Sequence, residues 1–449
     1  MHTHIMPPSL PDLASFTEED SESNNSNYPW PAFHKAADHA TTGAIDMYVG
    51  TQFFRRVAPS CYDPAARIRD MDAAGVDVQV LSTVPVLFCY DAPLQPARRL
   101  ARALNDHVSG VCADPQWEGR FVGLGTVPLQ DCAAAVEELD RLRGLPGMVG
   151  VQIGTSVDLL SKEKERGERE AVMLDDDRLE GFWAKCEEWD VPVFVHPLGY
   201  ALTRENPARW GKYWSSWLVG MPCETALAMH AIMASGLLVR HPKLRLCFAH
   251  GGGAFPALLG RIQHGFDCRP DLVAAQACGV TPTEHFRGDT HSTAEEGLEG
   301  SGQGQIWIDS LMHDPDLMEY VVRKLGPGGA GRILLGSDYP FPLGEVPVAG
   351  KMLTEDERVG RFMSWEEKAG VLARNAIRFL KLGKEFEDKV DKQFRQFKEH
   401  MKDERWAGWR HRDSAVELDE GDELGSFDTS KVKPVVQAVK MSPTGGSSP

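Results

Sequence analysis

The chain opens Met-His-Thr-His, which sets His2 and His4 two residues apart. On an extended strand, residues i and i+2 point to the same side, so this spacing offers two imidazoles side by side, a ready chelate. Three more polar residues end otherwise apolar runs: His196 after Val-Pro-Val-Phe-Val, His250 after Leu-Cys-Phe-Ala, and Asp338 after Ile-Leu-Leu-Gly-Ser. Taken singly, each has an ordinary explanation. His196 and Asp338 precede turn-like Pro197 and Tyr339-Pro340, and His250 could cap a helix after Gly251-Gly252-Gly253. Taken together they are the ligand types zinc takes. The expectation is one Zn2+ per subunit on His2, His4, His196 and Asp338. The run at 148–155 ends without the lysine or glutamate that would bridge a second metal. His250 is then left for proton transfer, and the glycines after it are read as leaving room for a substrate. Zinc lowers the pKa of water to about 7, and an adjacent imidazole can take and return the proton.

Seven apolar, β-branched-rich segments recur, at 76–85, 121–129, 148–155, 191–198, 244–253, 305–311 and 332–340. Most lack polar alternation, as strands buried on both faces do, which predicts a parallel sheet covered by helices. Helix-like stretches alternate with them at 64–75, 95–110, 131–144, 178–189, 224–241, 315–326 and 365–382. An eighth strand would close a barrel, and its place is His2-Thr3-His4-Ile5. An open doubly wound sheet would carry a glycine-rich phosphate loop after an early strand, and none follows 76–85 or 121–129. The predicted fold is α/β, a (β/α)8 TIM barrel over 1–382, whose active site lies at the C-terminal strand ends. An insertion at 7–60 follows strand one, with small strands near AIDMYVG and QFFRRV, and 156–177 is a second, charged insertion. Residues 383–414 read as a helical extension and 415–449 as a disordered acidic tail.

The 449 residues are 42% hydrophobic and carry a net charge of −17. That balance disfavours nucleic acid and anionic membrane surfaces. No apolar run of about 18 residues is present to span a membrane, and the opening residues do not form a secretory signal. Nine cysteines occur without a CxxC pair, which suits spare thiols in a reducing compartment. A cytoplasmic location is expected.

The segments HTHIMP, DPAARIRDMDAAGVDVQVLSTVPVLFCY, VFVHP, WLVGMPCETALA, FAHGGGAFPALLGRI and LLGSDYPFPLGE closely resemble the aminocarboxymuconate semialdehyde decarboxylase family. This is a metal-dependent decarboxylase branch of the amidohydrolase superfamily, and the resemblance covers most of 1–382. It implies that His2, His4, His196 and Asp338 ligate zinc and that His250 is the general base and acid. It implies further that Arg55 holds a substrate carboxylate and that Arg261 is supplied by the partner subunit of a homodimer. Trp214 and Phe341 line the pocket in the same reading. Arg261 sits in a helix leading away from its strand end, on the order of 10 Å out at 1.5 Å per residue, which suits donation across a two-fold interface. The implied reaction is nonoxidative decarboxylation of 2-amino-3-carboxymuconate 6-semialdehyde to 2-aminomuconate semialdehyde, in the kynurenine branch of tryptophan breakdown, with no organic cofactor. Where the family has Trp-Asp after His-Pro, this chain has Leu198-Gly199, then a longer segment, ALTRENPARWG. Three other readings stay open: a decarboxylase of a hydroxybenzoate such as γ-resorcylate, a zinc hydrolase, and an inactive dimeric binding protein.

Overall fold

In the computed structural model, His2–Ile5 lies between two other strands and closes a parallel sheet into a barrel. It pairs with Gln79–Thr83 on one side and Gly336–Tyr339 on the other. Residues 1–13, 28–160, 169–198, 212–269, 271–272, 278–288 and 305–401 are described. From Gln79–Thr83 the sheet runs through Phe121–Gly125, Met148–Ile153, Val193–Val195, Leu246–Phe248 and Ile306–Asp309. The eighth strand comes in two pieces. Ile333–Leu334 pairs with the seventh strand, and Gly336–Tyr339 pairs with the first. Between them the Leu335 amide donates instead to the Val371 carbonyl at 2.9 Å, so one strand serves both neighbours. The predicted barrel is present, and the opening histidine pair is its first strand.

Helices cover the outside for local reasons. Asp63 caps Pro64–Ala74 by accepting from the Ala65 amide, and Gly75 at φ 68° ends it. Leu94–Ala113 buries Ala97, Leu100, Ala101, Leu104, Val108 and Val111, an apolar stripe at three- and four-residue spacing. Asp131 and Asp314 cap Cys132–Arg143 and Pro315–Leu325 in the same way. The stretch predicted as one helix at 365–382 is Trp365–Ala369 and Asn375–Leu380, joined by a π turn over Gly370–Arg374.

Inside the barrel, Val80, Val122, Leu124, Phe194, Cys247, Ala249, Trp307 and Leu334 pack together. Phe194 lies two residues before His196, and Trp307 two before Asp309, so the pleat that buries the apolar residues also aims the polar ones inward. Strand one is tied from outside by Arg67, whose buried guanidinium donates to Thr3 Oγ1 at 3.1 Å, the His4 carbonyl at 2.6 Å, the Ser60 carbonyl at 3.0 Å and Gln79 Oε1 at 2.8 Å. Its plane also faces the Tyr339 ring at 4.8 Å. Burial lowers its pKa to about 10, which leaves it charged at neutral pH.

The insertion after strand one carries a three-stranded antiparallel sheet, Pro31–Lys35, Ile45–Val49 and Gln52–Val57. The last two fall where small strands were read; the first was not anticipated. In the second insertion Ser156–Leu160 and Arg169–Met173 form a hairpin, where the sequence had shown only charge. A helix runs over Lys384–Met401, and the expected acidic tail lies outside the described residues. Met1–Arg395 is one compact unit; of a second, Gln396–Pro449, only 396–401 is described, as the end of that helix. Among the described residues no helix is long and apolar enough to cross a membrane.

Candidate metal centre and active site

His2, His4, His196 and Asp338 each offer one ligand atom, and the four atoms lie within 4.8 Å of one another. The Nε2 atoms of His2 and His4 face each other at 3.2 Å. Asp338 Oδ1 is 3.0 Å from the one on His4 and 3.4 Å from that on His2. The His196 ring is centred 4.9 Å from both.

The outer nitrogens decide what this cluster is for. His2 Nδ1 donates to Asp309 Oδ2 at 2.7 Å, His4 Nδ1 to the Thr83 carbonyl at 3.2 Å, and His196 Nδ1 to the Pro197 carbonyl at 2.7 Å. Each partner is an oxygen that only accepts, so a neutral ring keeps its proton at Nδ1 and points the Nε2 lone pair inward. His196 Nε2 is buried without a hydrogen-bond partner among the described residues. Three lone pairs and a carboxylate thus converge on one point without a donor among them. A cation would satisfy buried acceptors in that arrangement, and three imidazoles with one carboxylate are a donor set that fits a divalent transition metal.

Without a cation, a proton takes its place. Burial disfavours charge on His2, but its bonds to Asp309 and Asp338 outweigh this and raise its pKa to about 9. Burial works against the Asp338 carboxylate as well, yet the bonds from His2 and His4 hold its pKa well below the usual range. Burial, with the neighbouring imidazoles of His4 and His2, drives His196 well below its ordinary value. At pH 7 the cluster therefore carries a proton on His2. Metal loading at that pH should expel about one proton per site. Calorimetry in buffers of differing ionisation enthalpy measures this directly, and a proton count near zero would contradict the assignment.

Asp309 went unnoticed in the sequence, although it ends Gln-Ile-Trp-Ile-Asp just as the other site residues end their strands. It is fully buried. Besides holding His2, its Oδ1 accepts from the Gly251 amide at 2.8 Å and the Leu311 amide at 3.1 Å. Gly336 makes room for it, since a Cβ there would stand 2.7 Å from that of Asp309. Asp309→Ala should weaken metal affinity by about 10- to 100-fold, as read by competition with a chelator; unchanged affinity would show that His2 needs no such anchor.

His250 stands beside the cluster, its ring centred 5.1 Å from those of His2 and His196. Its desolvated surroundings, with charge on His2, lower its pKa to about 4, so it is a neutral base at pH 7. Its Nδ1 has no hydrogen-bond partner among the described residues. The three glycines after it do less to open space than their size suggests. A Cβ on Gly251 would meet Met312 at 2.5 Å, and one on Gly253 would meet the Pro222 carbonyl at 2.4 Å. All three have positive φ, so they let the chain turn tightly and pack closely.

A cavity of about 400 Å³ opens over this floor, and His4, His196, His250 and Asp338 all border it. Most of its wall is apolar, as small-molecule sites usually are. Arg55, from the strand Gln52–Val57, reaches it, with its guanidinium 4.4 Å from the Phe341 ring centre, 5.3 Å from Phe54 and 6.0 Å from Trp217. Arg55, Trp214 and Phe341 are thus brought together as the sequence reading placed them. Arg261 is not: it is exposed on the helix Phe255–Cys268 and does not border this chain's cavity. Among the cavity residues that the sequence reading did not place there are Trp217 and His313, the latter having been read as structural. Leu198 also lines the cavity, and its amide donates to buried Glu224 at 3.1 Å. Gly199 and the ALTRENPARWG segment lie outside the described residues.

Comparison with known proteins places this geometry. The family model described as amidohydrolase matches residues 1–382. The chain is 36% identical to 2-amino-3-carboxymuconate-6-semialdehyde decarboxylase of Dictyostelium discoideum, over 85% of this chain and 91% of that one. The chain belongs to the amidohydrolase superfamily, in the aminocarboxymuconate semialdehyde decarboxylase branch. The Caenorhabditis elegans member is 34% identical, over 85% of this chain and 93% of its own. A γ-resorcylate decarboxylase of Rhizobium sp. (strain MTP-10005) is more distant, at 28% over 61% of this chain and 76% of its own. Among solved structures, 5-carboxyvanillate decarboxylase from Sphingomonas paucimobilis superposes with a TM-score of 0.57 at 22% identity, over 72% of this chain and 85% of that one. A dihydroxybenzoic acid decarboxylase from Polaromonas sp. JS666, solved with bound manganese, gives 0.54 at 21% identity, over 72% of this chain and 87% of its own. This amidohydrolase shares their barrel, and its relatives are metal-dependent decarboxylases.

Proposed function

We propose that this chain is a zinc-dependent decarboxylase that converts 2-amino-3-carboxymuconate 6-semialdehyde to 2-aminomuconate semialdehyde and CO2, working as a homodimer in the cytoplasm. The observation that carries the reading is the convergence of three Nε2 lone pairs and one carboxylate beside a neutral His250, on the floor of a cavity that Arg55 enters. His2, His4, His196 and Asp338 would hold the zinc ion, which supplies Lewis acidity that makes water a nucleophile near neutral pH.

The remaining steps belong to the side chains. Arg55 grips a substrate carboxylate in bidentate fashion, and its aromatic surround of Phe341, Phe54 and Trp217 keeps the guanidinium oriented. Trp214 and Phe341 pack against the flat conjugated chain. His250 takes a proton from water as its oxygen adds to an electrophilic carbon of that chain. It then delivers the proton to the neighbouring carbon, the one that bears the departing carboxylate. Cleavage of the carbon–carboxylate bond releases CO2, and its electrons expel the added hydroxide, which restores the conjugated double bond. Arg261 of the second copy would take a further anionic group.

Zinc-loaded protein is incubated with freshly generated substrate, and absorbance and CO2 are followed together. Loss of absorbance with stoichiometric CO2 is the expected result. Metal analysis should find about one zinc per chain, as one donor cluster implies; manganese in its place would overturn the metal assignment. A second reading is favoured by Leu198 at the cavity wall, where the branch has tryptophan. It is tested by the same assay with 2,6-dihydroxybenzoate, and turnover of that compound alone would displace the muconate reading.

A further inference from the structure

The cavity has a second group able to bind an anion, and the chain supplies it without a partner. Among the described residues its ionisable lining is His4, His196, Asp338, His250, Arg55 and His313. The first three belong to the metal cluster, His250 to proton transfer and Arg55 to a carboxylate. His313 is left with no role. Its imidazole makes no hydrogen bond or ion pair among the described residues, and it is exposed at the cavity wall.

Its backbone is telling. His313 sits at φ 58°, in the left-handed region that costs a residue with a Cβ of order 1 kcal/mol. His250 at the end of strand six has φ 56°, and Asp338 in strand eight has φ 52°. Strand seven lies between those two strands, and His313 follows it. Three residues at the C-terminal mouth of the barrel therefore adopt the same unfavourable backbone conformation to present a polar side chain, and two of the three are assigned chemistry above. The turn at 313 is fixed on both sides. Met312 packs beneath the Gly251 turn that carries His250, and Asp314 caps the helix Pro315–Leu325. Glycine would satisfy such a turn without strain, so the turn itself has no need of an imidazole.

We propose that His313 is a substrate-contacting residue, donating a hydrogen bond to the second carboxylate of a dicarboxylate whose first carboxylate is held by Arg55, the same group that Arg261 of the second copy would reach. This rests on the proposed decarboxylation, and the test keeps the two apart. His313→Gly removes the imidazole and relieves the backbone, so its melting temperature should equal or exceed that of the wild type, and its metal content should be unchanged. With the muconate substrate, KM should rise by about tenfold or more while kcat changes little, as befits the loss of one hydrogen bond to a charged group. His313→Asn, which tolerates left-handed backbone and keeps an N–H donor, should recover part of that loss. Binding of phthalate and benzoate to the zinc-loaded protein, measured by calorimetry, is independent of turnover. The wild type should favour the dicarboxylate, and in His313→Gly that preference should shrink by about tenfold. If the wild type shows no preference, or the glycine variant keeps it undiminished, the inference is overturned. If the preference depends on His313 while the muconate is not consumed, the decarboxylation reading fails and the binding role stands.

Discussion

His250→Ala should keep its full complement of metal and lose about 10²- to 10⁴-fold in both kcat and kcat/KM, the usual scale of a positioned acid/base. Metal retention is expected because His250 contributes no donor to the four-atom cluster and contacts it only ring to ring. The equal fall in kcat and kcat/KM follows from its task, since a proton shuttle acts in the transition state and adds little to ground-state binding. The Gly251–Met312 packing and the Gly251 amide bond to Asp309 are made by residues other than the imidazole, so the fold should hold apart from the modest backbone strain that alanine adds at φ 56°. Stopped-flow turnover with parallel metal analysis checks both halves. Activity above a tenth of wild type would remove His250 from the chemistry, whereas loss of metal would make it a ligand.

Asp338→Asn should have the opposite signature, with metal lost and activity following it down. Asp338 is the single anion among the four donors. Without its charge, three imidazoles remain around a site whose proton on His2 already competes with a cation. Asparagine is the informative replacement because it accepts left-handed backbone, and residue 338 has φ 52°; alanine would add backbone strain to the lost ligand. After dialysis the variant should hold well under one zinc per chain, and turnover should fall to about 1% or less, since one missing ligand commonly costs affinity by orders of magnitude. Near-normal zinc content would show that the imidazoles suffice and would leave the carboxylate a different task.

The barrel was legible because its strands are short apolar runs at regular intervals, and the candidate site residues on those strands were legible because each breaks such a run at its C-terminal end. His196, His250 and Asp338 are of this kind, and Asp309 carried the same signal. It was passed over because a polar residue in mid-segment, followed by Ser310-Leu311, looks like an ordinary strand end until its hydrogen bond to His2 is seen. Arg55, Trp214 and Phe341 came from resemblance, since neither spacing nor periodicity marks a residue in an insertion as facing a distant strand. Trp217 and His313 gave no sequence signal: one follows Trp214 in a π turn, and the other owes its place to backbone handedness that a sequence does not display. The hairpin at Ser156–Leu160 and Arg169–Met173 was hidden by its charged composition.

The meeting of the first and eighth strands has a consequence for biosynthesis. Ser337 bonds to the His2 carbonyl across 335 positions of chain, and Asp338 follows it. As the polypeptide leaves the ribosome, the opening stave emerges with both its imidazoles long before the stave that must flank it. The first stave alone offers a bidentate hold, His196 follows with strand five, and the carboxylate joins them only when the last stave slots into the seam. Completion of the four-atom donor set and of the cylinder is therefore one event.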